Sequence, residues 1–291
     1  MFENILNKKD ELLSNYSTIK IGGKAKYIVF PKTAYEVKSV LKEIKENDLK
    51  YFILGNGSNT LFDDDGFDGV VVCLKNCIRM QKNLNYIYVD AGVNLFSLNI
   101  FLAKSNLGGL EWSYGIPGTI GGLVYMNGGS FGHEIGEFVE ELLVLTKDLR
   151  LKKLKKEDLC FKYRSSNLQN FIILKIKLKL FYEKSASVFK KMQECFDLKK
   201  KLQPCDKPSL GSVFKRFEKD GEICFPAKII EELNLKGISV GGAQVSKKHS
   251  GFIINSGGAK SADVKKLVGL LQEEMKKVGY SPETEIVILE K

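Results

Sequence analysis

The 291-residue chain has two histidines, His133 and His249, one tryptophan and six prolines. Its six cysteines, Cys73, Cys77, Cys160, Cys195, Cys205 and Cys224, never form a C-x-x-C pair. Those counts argue against a structural zinc site, and no metal is expected. The thiols are expected to be reduced and to pack as small hydrophobes. No run approaches the roughly 20 apolar residues that a spanning helix needs, so no membrane partner is expected. Residues 1–13 carry Glu3, Asp10 and Glu11 and no long apolar stretch, which is unlike a secretory signal. A soluble, cytoplasmic protein follows. Internal repeats, low-complexity tracts and a Walker sequence are also missing.

Charge is plentiful. Lysine and arginine number 45 against 35 acidic residues, for a net charge of +10. The lysines are dispersed, and runs such as Lys152-Lys153-Leu154-Lys155-Lys156 and Lys199-Lys200-Lys201 read as solvated faces. No nucleic-acid recognition module is present, and an anionic substrate suits the charge equally well. A hydrophobic content of 44% supplies an ample core, and the length suggests two or three domains.

Residues 27–31 read as a strand ended by Pro31. Thr33 then caps a helix, with Glu36 completing a capping box and Val37, Val40, Leu41 and Ile44 on one face. Tyr51–Leu54 and Val70–Leu74 follow as strands. Tyr86–Val89 opens a second set, continued by a helix marked by Leu95, Leu98 and Leu102 and by strands near 139–146 and 171–180. In the last of these, Ile172, Leu174, Ile176, Leu178 and Leu180 should face one way and Lys175, Lys177 and Lys179 the other. Phe189, Met192 and Phe196 form a core stripe on the next helix. Pro226 opens another, with Ile229, Ile230 and Leu233 inward. Ser261 caps a final helix, and Glu285–Leu289 closes as a strand. The first set reads as a small α/β unit over residues 1–75, and a composition shift at Tyr182–Ala186 ends the second, giving parts 1–75, 76–184 and 185–291.

Tyr114 to Gly129 carries most of the information. Six glycines and one proline fall inside sixteen residues, yet Ile, Leu, Val, Tyr and Met lie between them. Glycine permits positive φ and close approach, and bare N–H groups in such turns hold anions. The stretch reads as a backbone cradle for a large phosphorylated cofactor. A second candidate is Gly55-Asn56-Gly57-Ser58-Asn59, after a strand. It is not a dinucleotide fingerprint, because Thr60 stands where the third glycine belongs and no helix follows.

These two loops resemble the cofactor-binding half of the bacterial UDP-N-acetylenolpyruvoylglucosamine reductase (MurB) family, in its shorter, type II form. The resemblance rests on Gly55-Asn56-Gly57-Ser58-Asn59 and Gly115-Ile116-Pro117-Gly118-Thr119-Ile120-Gly121-Gly122. It continues in order through Tyr163-Arg164-Ser165-Ser166, Pro208–Lys215, Gly241–Ser246, Gly251–Asn255 and Glu283–Ile288. It implies an α+β flavoprotein of the vanillyl-alcohol-oxidase (PCMH) group. Parts 1–75 and 76–184 would hold non-covalent FAD, and part 185–291 would bind the UDP-sugar, with the last strand able to pack back on the FAD module. Reduction of FAD by NADPH, then of UDP-N-acetylenolpyruvoylglucosamine by the flavin, follows by the same implication, in a protein expected to act as a monomer.

The resemblance also assigns residues. Arg164 polarises the substrate carboxylate, Ser212 donates the proton, and Glu285 assists Arg164. A guanidinium can grip a carboxylate through two hydrogen bonds. Serine is a weak acid and needs a cation nearby, for which Lys215 is the candidate. Glu285 should carry or share a proton, and Glu283 reads as a solvated loop residue. Gly55, Asn56, Gly57, Ser58, Asn59, Gly115, Ile116, Pro117, Gly118, Thr119, Gly121 and Gly122 fall to the cofactor. Tyr163, Lys215, Gln244 and His249 fall to the substrate, and His133 is a loop residue. Departures from the pattern are Phe217, Pro226-Ala227 and the ending Leu289-Glu290. The nearest alternative is another FAD oxidoreductase of the same fold, an alcohol or hydroxy-acid oxidase.

Overall fold

The computed structural model describes residues 1–291. The chain forms two compact units that alternate along the sequence. Residues 1–9, 27–56 and 69–198 make the first, and residues 10–26, 57–68 and 199–291 the second. No helix is long and apolar enough to cross a membrane.

The first unit centres on an antiparallel sheet of five strands in the order Leu151–Lys155, Val139–Thr146, Phe171–Lys179, Tyr86–Asp90, Met80–Asn83. Phe171–Lys179 lies in the middle, and its alternation is close to that read from sequence. Ile176 and Leu178 are fully buried. Upstream the alternation breaks. Val144 pairs with Ile173 while Leu143 pairs with Lys175, so Leu174 is an extra residue in the ladder. The bulge turns both Ile173 and Leu174 inward and leaves Ile172 half-buried, contrary to the expected pattern.

Tyr51–Leu54 pairs in parallel with Phe67–Cys73. Val70, Val71 and Val72 are wholly buried, as a strand covered on both faces requires. The Thr33 hydroxyl accepts from Glu36 N at 3.1 Å and caps the helix Ala34–Glu46. The Glu36 carboxylate returns to Lys32 N, one residue earlier than the capping box places it. In the helix Ser185–Leu202, Val188 and Met192 form the buried stripe, whereas Phe189 is 38% exposed. Lys199 is buried rather than solvated. Its position seven residues after Met192 puts it on the helix's inward stripe.

The second unit is a four-stranded antiparallel sheet, in the order Ser209–Ser212, Phe252–Asn255, Ala243–Val245, Ser239–Val240. Its core joins Val264, Leu267, Leu271 and Met275, from helix Ser261–Lys277, to Ile229, Ile230, Val245 and Ile253. Lys260, not Ser261, is the cap position. Ser261 is the first helical residue, and its N–H and hydroxyl both donate to the Asp64 carboxylate at 2.8 Å. The closing strand is Val287–Leu289, starting two residues later than read. It runs parallel to Thr60–Phe62 and ties the chain's end beside the first glycine loop.

Candidate active site

Within the first unit, Gly55 and Asn56 of the first glycine loop meet the second loop. A Cβ on Gly55 would lie 2.5 Å from the Thr119 hydroxyl oxygen, so a larger residue there would displace the Thr119 side chain. Asn56 Nδ2 donates to the Pro117 carbonyl. The amides of the two loops are used differently. In the second loop Ile116 N donates to Ser113 O, Ile120 N to Val93 O, Gly121 N to Ala91 O and Gly122 N to the Thr119 hydroxyl. A Cβ on Gly121 would sit 2.7 Å from the Ala91 Cβ. Much of this glycine run therefore serves close packing, and Gly115, Gly118 and Thr119 keep open N–H groups. Along Gly55 to Asn59 no backbone N–H meets a protein acceptor, although Gly57 is buried. Buried, unpaired donors are costly and call for a partner. Each loop thus keeps an open N–H on a buried residue, Gly57 in the first and Thr119 in the second.

Arg164 stands in the turn between two-residue strands Phe161–Lys162 and Ser165–Ser166. Its φ of +52° is left-handed, a conformation that costs an L-residue roughly 1–2 kcal/mol. Strain of this kind persists where the surroundings hold the residue. Here Nη2 donates to the Gly129 carbonyl at 3.2 Å, and the guanidinium lies 5.0 Å from the centroid of the Tyr163 ring. Both side chains are half-buried.

In the second unit the segments bearing Ser212 and Glu285 are stitched together. Glu285 N donates to Val213 O at 2.7 Å, Lys215 N to Glu283 O at 2.9 Å, and Phe214 bridges Thr284. Asn59 clamps the second segment: its Nδ2 donates to Glu285 O at 2.9 Å, and its carbonyl accepts from Val287 N. Gly211, at φ +81°, bulges the strand just before Ser212.

Lys215 does not stand alone. Its Nζ lies 3.0 Å from the Glu283 carboxylate, so the exposed Glu283 is its ion partner. Gln244 Nε2 donates to Gly237 O and to the Ser239 hydroxyl. His249 accepts from Gly251 N at 3.1 Å through Nδ1, which marks that nitrogen as unprotonated. Burial holds the His249 pKa below its ordinary value, and Lys236 adds to the effect. Gly251 O in turn accepts from Val213 N. His249 therefore braces the strand pair beside Ser212.

Comparison with known proteins adds the decisive observation. Residues 25–155 match an FAD binding domain, and residues 203–289 match the C-terminal domain of UDP-N-acetylenolpyruvoylglucosamine reductase. The reductase of Clostridium tetani is 39% identical over 292 residues, covering 99% of this chain and 92% of that one. The reductase of Thermotoga maritima is 39% identical over 281 residues, covering 96% and 97%. The crystal structure of the Thermus caldophilus reductase superposes with a TM-score of 0.80 at 31% identity, over 98% of each chain. This chain belongs to the UDP-N-acetylenolpyruvoylglucosamine reductase family. It is an FAD-dependent oxidoreductase, with an α+β fold that joins an FAD-binding domain of the PCMH type to the C-terminal domain of this family.

The residues present fit FAD. The open amides of Gly55–Asn59 suit a diphosphate, whose oxygens accept from such nests. The first unit also contains a cavity of about 220 Å³, lined among others by Leu74, Ala91, Leu143, Leu174, Arg79 and Lys175. No residue of either glycine loop lines it. Sequence reasoning missed it, because its walls mix core residues with the dispersed charges Arg79, Asp90 and Lys175 and form no motif. The second unit offers an open groove of about 700 Å³ bounded by Gln244, Lys200, Lys207, Lys247 and Lys248. Of these, only Gln244 stood out in the sequence. The lysines read as solvated, and only the fold gathers them.

Proposed function

We propose that this reductase converts UDP-N-acetylenolpyruvoylglucosamine to UDP-N-acetylmuramate with NADPH as hydride donor, a cytoplasmic step toward peptidoglycan performed by a monomer. Beyond family membership, one observation carries the reading. The segments holding Ser212 and Glu285 are bonded through Glu285 N and Val213 O, and Asn59 of the first glycine loop clamps the same residue. The division into parts 1–75 and 76–184 for the cofactor and 185–291 for the sugar nucleotide belongs to the same proposal.

FAD, when bound, supplies hydride from NADPH to the terminal methylene carbon of the enol ether. The remaining steps fall to side chains. Negative charge develops at the neighbouring carbon and spreads into the substrate carboxylate. Arg164 is suited to hold that carboxylate, because its planar fork offers paired donors and its turn fixes it in place. Ser212 delivers the proton to the carbanionic carbon, with the cation Lys215 three residues on. Glu285 shares a proton with the carboxylate rather than opposing it as a second anion. The lysines around Gln244 suit the substrate's diphosphate.

An anaerobic absorbance trace tests this. The flavin band should bleach on NADPH addition and return on addition of UDP-N-acetylenolpyruvoylglucosamine. A flavin that bleaches but does not return refutes the substrate. A protein that takes up no FAD refutes the cofactor site.

A further inference from the structure

The glycine-rich stretch has a second half, Tyr125 to Gly129, that the cofactor reading does not explain. Its alternate residues reach one hairpin. Ser166 Oγ donates to Tyr125 O at 2.6 Å, Asn127 Nδ2 donates to Lys162 O at 3.0 Å, and Arg164 Nη2 donates to Gly129 O at 3.2 Å. The three hairpin residues are those two before Arg164, Arg164 itself, and two after it. Arg164 thus sits on a mount built from the far end of the glycine run.

Asn127 is the centre of that mount. It is 1% exposed and has a left-handed φ of +45°, a region where asparagine is among the better-tolerated side chains. Its amide is fully engaged. Nδ2 donates both to Lys162 O and to Glu134 Oε2, the latter at 2.6 Å, while Oδ1 accepts from Gly136 N at 3.0 Å. Gly136 admits the hairpin as well, since a Cβ there would lie 2.7 Å from the Phe161 ring. One buried side chain therefore joins three segments: the glycine run, the 134–136 turn and the hairpin that carries Arg164.

We propose that Asn127 is a positioning residue that fixes Arg164 in the geometry needed to grip a substrate carboxylate. The inference rests on the role proposed for Arg164. Its strained turn needs an external hold, and the Lys162 bond supplies one on the strand entering the turn. Since the mount lies outside the first loop's open amides, its loss should affect carboxylate recognition selectively.

Equilibrium binding to the holoenzyme tests this with two ligands, UDP-N-acetylmuramate, which bears the carboxylate, and UDP-N-acetylglucosamine, which lacks it. Asn127→Gly keeps the left-handed backbone accessible and removes all three side-chain bonds. It should weaken the muramate ligand about tenfold, as loosening one charge-assisted pair does, and leave the other ligand unchanged. The double variant Asn127→Asp with Glu134→Gln keeps the Gly136 bond and reverses the Glu134 bond, but cannot donate to Lys162. A buried carboxylate facing the Lys162 carbonyl lowers its melting temperature, and the folded variant should still lose the preference for the carboxylate. It carries the test if Asn127→Gly does not fold. Equal weakening of both ligands, or an unchanged preference in a folded variant, overturns the proposal. Arg164→Ala run alongside separates the two ideas. If it keeps the preference, the role of Arg164 fails. If it loses the preference while the Asn127 variants keep it, only the present inference fails.

Discussion

Asn59→Ala should separate the chemistry on the substrate from the chemistry on NADPH. The sequence assigns Asn59 to the cofactor loop, but its Nδ2 donates to Glu285 O at 2.9 Å and its own carbonyl accepts from Val287 N. Alanine keeps the backbone bond and loses the side-chain bond. A hydrogen bond of this kind contributes about 1 kcal/mol net, and the carbonyl left behind costs up to a further ~1 kcal/mol because water reaches this half-buried site only in part. A loss of about 1–2 kcal/mol that falls on the placement of Glu285 corresponds to roughly a 5- to 30-fold slower reoxidation by substrate. On the role proposed for Glu285, bleaching by NADPH does not involve it and should keep its rate. Stopped-flow absorbance under anaerobic conditions reads both steps in one preparation, and the flavin-to-protein absorbance ratio reads cofactor content. If reoxidation runs at the parent rate, Asn59 does not hold Glu285 in its working position. If flavin is lost and both steps fall together, the side chain serves the cofactor instead.

Ser212→Ala should leave bleaching by NADPH intact and slow reoxidation by a few orders of magnitude, as removal of a general acid does; parent-like reoxidation excludes Ser212 as the proton donor. Gly57→Ala should destabilise the protein by more than about 2 kcal/mol, read as a fall in melting temperature, because its φ is +62° and a Cβ would lie 2.0 Å from Tyr16 O. His249 has a pKa held below its ordinary value of 6.5, chiefly by burial. The unfolded chain then binds more protons, so stability is present above pH 6.5 and is lost as pH falls through the depressed value. His249→Gln should flatten the decline in melting temperature between about pH 7 and pH 5, and an unchanged decline assigns it to other groups. Cys77 has its pKa pushed up to about 12 by burial, with nearby Asp90 and Glu36 adding to it. Iodoacetamide at mildly alkaline pH should label the exposed Cys160 and Cys205 and spare Cys77 in the folded protein; mass spectrometry of the digest checks this.

Most of the regular structure was legible because local rules and tertiary packing agree there. Thr33 followed three residues later by Glu36 marks a helix start, and Val37, Val40, Leu41 and Ile44 are buried as their spacing requires. Where the sequence misled, a tertiary fact had overridden a local one. The bulge at Leu174 is fixed by the neighbouring strand, and nothing in the alternation of Phe171–Lys179 announces it. Ser261 has the composition of an N-cap, but the acceptor comes from Asp64, nearly two hundred residues away in the chain. Lys199 belongs to a lysine run, and only the rotation of its helix shows that it is buried.

The glycine stretch shows the same limit at the site itself. A glycine bare for a ligand and a glycine bare for a neighbouring backbone are the same letter, with the same tolerance of positive φ. What separates them is the destination of the N–H groups. In Ile120, Gly121 and Gly122 they end on protein oxygens, and the Cβ that glycine omits would strike Ala91 in the case of Gly121. In Gly55–Asn59 they end on nothing. From Tyr125 to Gly129 it is the carbonyls of Tyr125 and Gly129 and the side chain of Asn127 that matter, because they hold the Arg164 hairpin. One composition thus covers three tasks, and hydrogen-bond bookkeeping on the folded chain divides them. Residues 115–119 keep open amides at Gly115, Gly118 and Thr119, residues 120–122 pack, and residues 125–129 hold the Arg164 hairpin, while the short loop after Leu54 leaves its amides open throughout.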